Sequence, residues 1–307
     1  MVSWIPIPDE AAGKTAMAWL KHHLPTASLS RIHKALRRGE IRLDSKRVRP
    51  KTLLSPGQQM RLPPQLTPHY QAQPSADAGN NLDGAKVIGD ELRENVIYRD
   101  ASALVLNKPA GLAVQGGNGV RYPLDQALSA LQFEAKSPPR LIHRLDQPVT
   151  GALLLGRSGK ATHALNQAFR EHQIKKTYRA LAWCPAEIAR PKPKGIITTP
   201  IKGQKGKQSA RTEYCIRGAQ ETTGGTILDY ELTPVTGRKH QLRRHLRELG
   251  TGIIGDSKYN RDVPKPGELE LPQGLYLHSW YLSWPMPHRR GAIAEITAPL
   301  PKGWLTV

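Results

Sequence analysis

The sequence predicts an α+β fold with a mostly antiparallel sheet and flanking helices. Beyond residue 95, strand-like segments outnumber helical ones and do not alternate with them regularly, which argues against a doubly wound parallel sheet. Residues 96–98 and 103–106 flank a short polar turn and predict a hairpin. Residues 152–155 form a continuous apolar run, typical of a buried strand. The remaining segments are predicted strands at 177–183, 226–232 and 275–284, and predicted helices at 158–172 and 238–249.

Length and charge limit the function. A chain of 307 residues predicts two domains. The formal net charge of +20 predicts a polyanionic partner, and nucleic acid is the commonest one. A membrane surface is the competing interpretation, but no apolar run approaches the roughly 20 residues that cross a bilayer. The N-terminus does not read as a signal peptide, and two cysteines suit a reducing compartment, so we expect a cytoplasmic protein.

No spacing in the sequence indicates a metal site. The two cysteines, Cys184 and Cys215, do not form a CxxC pair. His240 and His245 are five residues apart, whereas two ligands on one helix face are four apart. We therefore expect neither a metal nor another cofactor.

Residues 26–64 form a compact basic module. Leu29, Ile32 and Leu36 make one apolar helical stripe, and Gly39 ends the predicted helix. Nine Lys/Arg and two acidic residues lie between positions 26 and 51. A solvated surface is one explanation of this charge, and binding of RNA or DNA phosphates is the other. The basic residues on the remaining helix surface are Arg31, Lys34, Arg37 and Arg38.

The spacing SRxxKALRRGEIRLDSKRV resembles the S4 RNA-binding domain, in which this helix and the following loop lie on structured RNA. We accordingly assign residues 1–66 to a small S4-like α/β RNA-binding domain. Residues 67–90 are rich in Pro, Ala, Gly, Asn and Asp and predict a flexible linker. Residues 91–307 are then the catalytic domain.

Three separate segments carry residues capable of chemistry. They are 143–146 (HRLD), 175–180 (KKTYRA) and 237–243 (GRKHQLR). Taken alone, Asp146 could be an ordinary turn residue and Tyr178 either a core residue or a platform on which a base stacks. Arg243 lies at the edge of a helical apolar stripe, so it is either a surface residue or a semi-buried one that needs a carboxylate, which Asp146 could supply.

Together, these segments resemble the RluA-type pseudouridine synthases. The resemblance lies in NKPAGLAVQGG, LIHRLDQPVTGALLLG, KKTYRALAW, GKQSARTEY, TGRKHQLRRHL and GIIGDSKY, in this order. Within this family, the sequence resembles the bacterial large-subunit rRNA enzymes that carry an N-terminal S4 domain. It implies a pseudouridine-synthase-like catalytic fold and conversion of uridine in RNA to pseudouridine.

The resemblance implies a role for individual residues. Asp146 corresponds to the catalytic aspartate, Tyr178 to the tyrosine that stacks on the target uracil, and Arg243 to the basic partner of the aspartate. Arg144 matches the arginine that helps hold the target base flipped out, and His143 beside it is also expected to bind the RNA or the base. Leu277 corresponds to the apolar residue that closes the pocket.

One departure from the family pattern follows the aspartate. The family commonly has Thr-Ser-Gly where this chain has Val149-Thr150-Gly151. The acid, the stacking tyrosine and the arginine are all present, so we expect activity. The change leaves the contacts of the loop with RNA, and so the exact target site, open.

The expected substrate is large-subunit (23S) rRNA, and the expected enzyme is a monomer without a cofactor. The carboxylate could add covalently at C1′ or C6, or remove a proton from C2′, and the sequence does not choose between these routes. Three other functions stay open: a tRNA pseudouridine synthase, a non-catalytic RNA-binding protein of ribosome assembly, and a nucleoside hydrolase or glycosylase, which would release free uracil.

Overall fold

The computed structural model describes residues 3–24, 27, 29–67, 88–116, 122–203, 206–260, 273–305 and 307. The described residues up to 67 belong to one compact unit, and those from 88 onward belong to a second. Most of the predicted linker, residues 68–87, lies outside the described residues. Its last three residues begin a helical segment that spans residues 88–94.

The first unit combines a small sheet with two helices. The helices are Ala16–His23 and Leu29–Arg38, after a single 3-10 turn at Asp9–Ala11. The sheet order is β1-β4-β2-β3, with every pairing antiparallel. Its strands are β1 (Ser3–Pro6), β2 (Arg42–Leu43), β3 (Lys46–Arg47) and β4 (Gln59–Leu62).

The turn between β2 and β3 explains the register of this small sheet. Asp44 and Ser45 both have positive φ, 47° and 65°, as a two-residue hairpin turn of the type I′ class requires. The Asp44 carboxylate also accepts a hydrogen bond from the Gln59 backbone at 2.7 Å, which ties the turn to β4. Two residues of the predicted apolar stripe, Ile32 and Leu36, are buried, and the side chain of the third, Leu29, lies outside what the structure describes.

The basic side chains of the second helix lie outside this core. All four are exposed: Arg31, Lys34, Arg37 and Arg38. The first unit therefore presents a strongly basic helix surface. Arg38 also makes an ion pair with Glu40, which is exposed enough to contribute little stability.

The second unit is built on an eleven-stranded sheet. The order along its main path is β10-β13-β14-β9-β16-β8-β6-β5, with β15 on β9, β17 on β16 and β7 on β8. One pairing, β8 with β16, is parallel, and the other pairings in this sheet are antiparallel. The α+β fold with a mostly antiparallel sheet is confirmed.

The strands of this unit are β5 (Val96–Arg99), β6 (Ala103–Lys108), β7 (Arg140–Leu141), β8 (Thr150–Gly156), β9 (Lys175–Pro185), β10 (Lys194–Ile197), β11 (Ile201–Gly203), β12 (Gly206–Gln208), β13 (Thr212–Thr222), β14 (Gly225–Pro234), β15 (Gly252–Ile253), β16 (Leu277–Pro285) and β17 (Ile293–Thr297). β11 and β12 form a separate hairpin. Besides the helical segment that ends at residue 94, the described helices are Gly159–Arg170 and Gln241–Glu248, together with short 3-10 turns at Leu124–Gln126 and Leu128–Leu131. The predicted strands at 96–98, 103–106, 152–155, 177–183 and 226–232 lie within β5, β6, β8, β9 and β14, whereas the strand predicted at 275–284 begins two residues later, at Leu277. The long strand β13 was not predicted.

Apolar side chains cover both faces of the central strands. On β8, Leu153 and Leu155 belong to one buried cluster, whereas Ala152 and Leu154 belong to another. Because side chains alternate between the two faces of a strand, this arrangement requires an unbroken apolar run. That requirement explains the sequence ALLL in the middle of the sheet.

The parallel pairing brings β8 and β16 unusually close. Gly151 has φ 102°, and a Cβ atom there would lie 2.3 Å from the carbonyl oxygen of Ser279. Only glycine fits this position. Next to it, the Thr150 hydroxyl and His278 Nδ1 are 2.8 Å apart in the interior. The start of β8, and the turn before it, is thus fixed on β16.

Within the part of the chain that the structure describes, no helix is long and apolar enough to cross a bilayer.

Candidate active site

Asp146 lies in the turn between β7 and β8. The Val149 backbone N–H donates to the Asp146 carbonyl at 3.0 Å and closes the turn. Leu145 and Val149 are buried on either side, whereas the Asp146 side chain stays 25% exposed. The carboxylate is therefore presented to solvent from a loop whose neighbours are anchored in the core.

A buried lysine fixes the residue that follows Asp146. The Lys108 ammonium donates to the carbonyls of Pro109, Leu112 and Gln147 at 2.7, 2.8 and 3.1 Å. Burial lowers the pKa of Lys108 to about 7, and the negative charge of Asp146 opposes that shift. The segment that begins at Lys108 thus packs against the Asp146 turn, and its backbone carbonyls take up the lysine's hydrogen bonds.

Arg243 approaches Asp146 from the helix Gln241–Glu248. Arg243 Nη1 is 3.7 Å from Asp146 Oδ2. Its tighter partner is Asp256, which accepts hydrogen bonds from Arg243 Nε at 2.7 Å and from Nη2 at 2.6 Å. The sequence interpretation named Asp146 alone as the carboxylate partner. The structure adds Asp256, so the guanidinium is held between two carboxylates.

The Asp256 carboxylate is almost fully buried. Burial alone would raise its pKa, but the hydrogen bonds and charge of Arg243 outweigh burial and lower it. The same carboxylate also accepts from the backbone N–H groups of Lys258 and Tyr259 at 3.0 and 3.1 Å. A charged carboxylate with this many donors is a rigid support for the arginine.

His240 is a second neighbour of Asp146 that the sequence analysis considered only as a metal ligand. His240 Nε2 lies 3.7 Å from Asp146 Oδ2, and His240 Nδ1 lies 2.8 Å from the Tyr259 hydroxyl. The Arg243 guanidinium lies over the Tyr259 ring, 5.2 Å from its centroid. His240, Arg243 and Tyr259 therefore form one connected group around the carboxylate.

Tyr178 lies on β9 beside this group. The residue is half-buried, and its ring packs against the main apolar cluster of the unit. Burial raises the pKa of Tyr178 to about 12, against the opposing effect of a hydrogen bond with Ser279; the nearby Asp146 charge raises it further. The phenol is therefore neutral at physiological pH.

Leu277 is buried at the start of β16. It pairs with Ala180 across β9, two residues from Tyr178, and belongs to the same apolar cluster. The structure therefore places it in the apolar wall next to the tyrosine strand.

Arg144 and His143 are placed differently from one another. Arg144 is exposed. The His143 ring stacks on Phe169, and its Nε2 accepts a hydrogen bond from the Leu154 backbone N–H at 3.0 Å. Burial lowers the pKa of His143 to about 3, so its ring is neutral. These contacts join His143 to the sheet and the Gly159–Arg170 helix and not to Asp146.

The residues that depart from the family pattern face the interior. Val149 is buried in the apolar core, and the Thr150 hydroxyl contacts His278. Because both side chains are buried, neither presents a surface to RNA, and the choice of target site stays open.

Within the described ranges, no group of three or more His, Cys, Asp or Glu side chains could hold a metal ion.

The site residues missed by sequence reasoning share one property. Lys108, His240, Asp256 and Tyr259 act through contacts with residues distant in sequence, so local patterning gives no signal for them. All four do lie in segments that carry the family resemblance (NKPAGLAVQGG, TGRKHQLRRHL and GIIGDSKY), and the resemblance was the only signal that pointed to them.

Comparison with known proteins identifies relatives along nearly the whole chain. A family model described as RNA pseudouridylate synthase matches residues 102–248. The chain is 30% identical to the ribosomal large subunit pseudouridine synthase C of Vibrio parahaemolyticus, with 97% of this chain and 93% of that protein covered. It is 30% identical to the protein of the same name from Escherichia coli, with 98% and 94% covered.

Two solved structures share the fold. Human RNA pseudouridylate synthase domain containing 4 matches with a TM-score of 0.58 and 24% identity, covering 72% of this chain and 94% of that chain. Human RNA pseudouridylate synthase domain containing 1 matches with a TM-score of 0.53 and 24% identity, covering 67% and 83%. At this identity the two matches concern the fold alone.

The buried support of Arg243 yields a stability prediction. Asp256→Asn removes one charge of a buried, bidentate pair, so it should lower the free energy of unfolding by about 3 kcal/mol. Glu231→Gln, in the exposed pair with Arg217, should cost less than about 1 kcal/mol. Urea unfolding followed by circular dichroism measures both. Equal losses for the two variants would contradict the account of Asp256 as a structural support.

Proposed function

The chain belongs to the RNA pseudouridylate synthase family, and we propose that it modifies large-subunit ribosomal RNA through Asp146. It is an isomerase that converts uridine in RNA to pseudouridine. One observation carries the assignment of the site: Asp146 is half-buried in a turn, with part of its carboxylate open to solvent, and lies 3.7 Å from a buried arginine that a second carboxylate holds in place. Support for the rRNA target comes from the relatives, which are named for the large ribosomal subunit and match the chain over almost its full length.

Asp146 is the reacting group in this proposal. The reaction breaks the bond between uracil N1 and C1′ and forms a bond between C5 and C1′; C5 loses a proton and N1 gains one. A carboxylate can begin it by adding at C1′ or C6, or by taking a proton from C2′. Arg243 balances the charge of Asp146 and limits its orientation. The reaction needs no redox change and no metal.

Tyr178 and Leu277 form the base-binding wall. The target base has to leave its stack at a cost of a few kcal/mol, and stacking on an aromatic ring offsets roughly 1–3 kcal/mol of that cost. Tyr178 is half-buried and neutral, so its ring can serve as that platform. Arg144 is exposed next to the Asp146 turn and is placed to contact the RNA around the flipped base. His143 supports the turn from inside.

The first unit supplies phosphate contacts in this proposal. Its second helix carries four exposed basic side chains, and the sequence of this region resembles the S4 domain. Such contacts position an RNA without reading its sequence. Residues 1–66 would then hold structured rRNA while residues 91–307 carry out the chemistry. A monomer that acts in the cytoplasm, where rRNA is modified, completes the proposal.

Asp146→Asn tests the catalytic assignment. The amide is nearly isosteric with the carboxylate but is neither a nucleophile nor a base, so pseudouridine formation should be abolished while RNA affinity stays within a few-fold. The substrates are large-subunit rRNA and tRNA transcripts, and free uracil is measured in the same reactions. Asp229→Asn makes the same chemical change at a buried carboxylate on the sheet, paired with Arg179, and should retain activity.

Pseudouridine formation by the Asp146→Asn protein would remove Asp146 from the mechanism. Release of free uracil by the wild-type protein would indicate a hydrolase. Product in tRNA but not in rRNA would make tRNA the substrate.

The role of the basic helix is tested by a salt titration. Each lost phosphate contact reduces the slope of log K against log salt by a little under one. Neutralising four contacts should therefore make the slope shallower by roughly three for rRNA. The substituted residues, each changed to Gln, are Arg31, Lys34, Arg37 and Arg38. A control protein with the same change in charge carries Gln at four exposed positions of the second unit: Lys192, Arg289, Arg290 and Lys302. Equal slopes for the two proteins would show that the helix does not contact RNA.

A further inference from the structure

We propose that His240 is a positioning residue for Asp146 and that Tyr259 selects the ring tautomer in which His240 acts. This inference rests on the function proposed above, in which Asp146 is the reacting group. His240 immediately precedes the helix Gln241–Glu248, so the backbone that carries Arg243 to the carboxylate also carries His240. The two side chains therefore reach Asp146 from one element.

The backbone of His240 is unusual for a residue with a side chain. It has φ 55° and ψ 29°, in the left-handed region, and its side chain makes no hydrogen bond that caps the helix. Non-glycine residues in this region are held there by their surroundings and are common at functional sites. A residue before a helix ordinarily uses its side chain as a cap. His240 instead directs its ring toward Asp146 and Tyr259.

The two ring nitrogens of His240 face groups that differ in hydrogen bonding: a carboxylate, which only accepts, and a hydroxyl, which can donate. Nε2 faces the Asp146 carboxylate at 3.7 Å, and Nδ1 lies 2.8 Å from the Tyr259 hydroxyl. A carboxylate accepts hydrogen bonds, so the favourable tautomer carries its proton on Nε2. Nδ1 is then an acceptor, and the Tyr259 hydroxyl donates to it. The other tautomer would direct a lone pair at the carboxylate.

Arg243 and His240 converge on one oxygen of Asp146. Arg243 Nη1 and His240 Nε2 each make their closest approach to Oδ2, at 3.7 Å. Hydrogen bonds of catalytic groups commonly shorten when substrate binds. At 3.7 Å neither contact is yet a hydrogen bond; once shortened, two donors on Oδ2 would restrict rotation of the carboxylate and leave Oδ1 free to face the RNA. Such restriction raises the fraction of time spent in the reactive geometry.

The charges around His240 favour a neutral ring. Burial lowers the pKa of His240. The Asp146 carboxylate opposes this shift, and three positive groups reinforce it: Arg243, Lys258 and Lys239. A neutral imidazole donates a hydrogen bond without adding a second positive charge beside the carboxylate. Arg243 supplies the positive charge beside Asp146, and His240 supplies a donor that orients the carboxylate.

Single-turnover kinetics with saturating protein tests the proposal. His240→Leu should lower the rate constant of pseudouridine formation by about 10- to 100-fold while the protein concentration at half-saturation stays unchanged. His240→Gln keeps a donor near the position of Nε2 and should retain more of the rate. Tyr259→Phe should also lower the rate constant, but should add nothing in the His240→Leu background, because the two residues act as one unit. Tyr281→Phe, which removes a hydroxyl bonded to Glu295, is the control and should have the wild-type rate.

Each outcome decides the proposal. Additive losses for His240→Leu and Tyr259→Phe, or no advantage of His240→Gln over His240→Leu, would overturn the positioning role. A weaker half-saturation with an unchanged rate constant would show that His240 contacts RNA directly, which also overturns it. If the wild-type protein formed no pseudouridine, or if Asp146→Asn remained active, the proposed function itself would fail first. Circular dichroism of every variant ensures that the compared proteins are folded.

Discussion

The site depends on a buried arginine held between two carboxylates. Asp256 accepts two short hydrogen bonds from the Arg243 guanidinium, through Nε and Nη2. The third nitrogen of the guanidinium, Nη1, lies 3.7 Å from Asp146 Oδ2. A buried arginine without a carboxylate would carry a large desolvation cost. Asp256 therefore does more than stabilise the fold: it lets the positive charge stay where Asp146 needs it, without drawing Asp146 out of solvent.

The sheet gives this arrangement its precision. The Asp146 turn enters β8 at Thr150, and the parallel contact of β8 with β16 admits no side chain at position 151. Lys108 then fixes the carbonyl of Gln147 from the opposite side. The carboxylate that we propose as the reacting group is thus on a loop, but that loop is bound to rigid elements at Gln147 and at Thr150, which is how a loop residue can hold a fixed geometry.

Part of the fold and of the candidate site could be predicted from the sequence. The run 152–155 is apolar on both faces and bounded by turn residues, which indicates a buried strand, and the apolar stripe beside Arg243 indicated the helix at 238–249. β1 is four residues long, too short for periodicity to indicate it. Asp256 and His240 depend on how distant segments meet, which no local pattern encodes. The roles proposed for Asp146, Tyr178 and Arg243 came from the family resemblance. Taken alone, the three residues could equally be a turn residue, a core residue and a surface residue.

The most direct test is a map of pseudouridines in rRNA and tRNA from cells that have this protein, lack it, or carry Asp146→Asn in its place. The account predicts that one or more pseudouridines of large-subunit rRNA disappear when the protein is absent. They should return with the wild-type protein and stay absent with the variant, while tRNA is unchanged. An rRNA map that is identical in all three strains would contradict it.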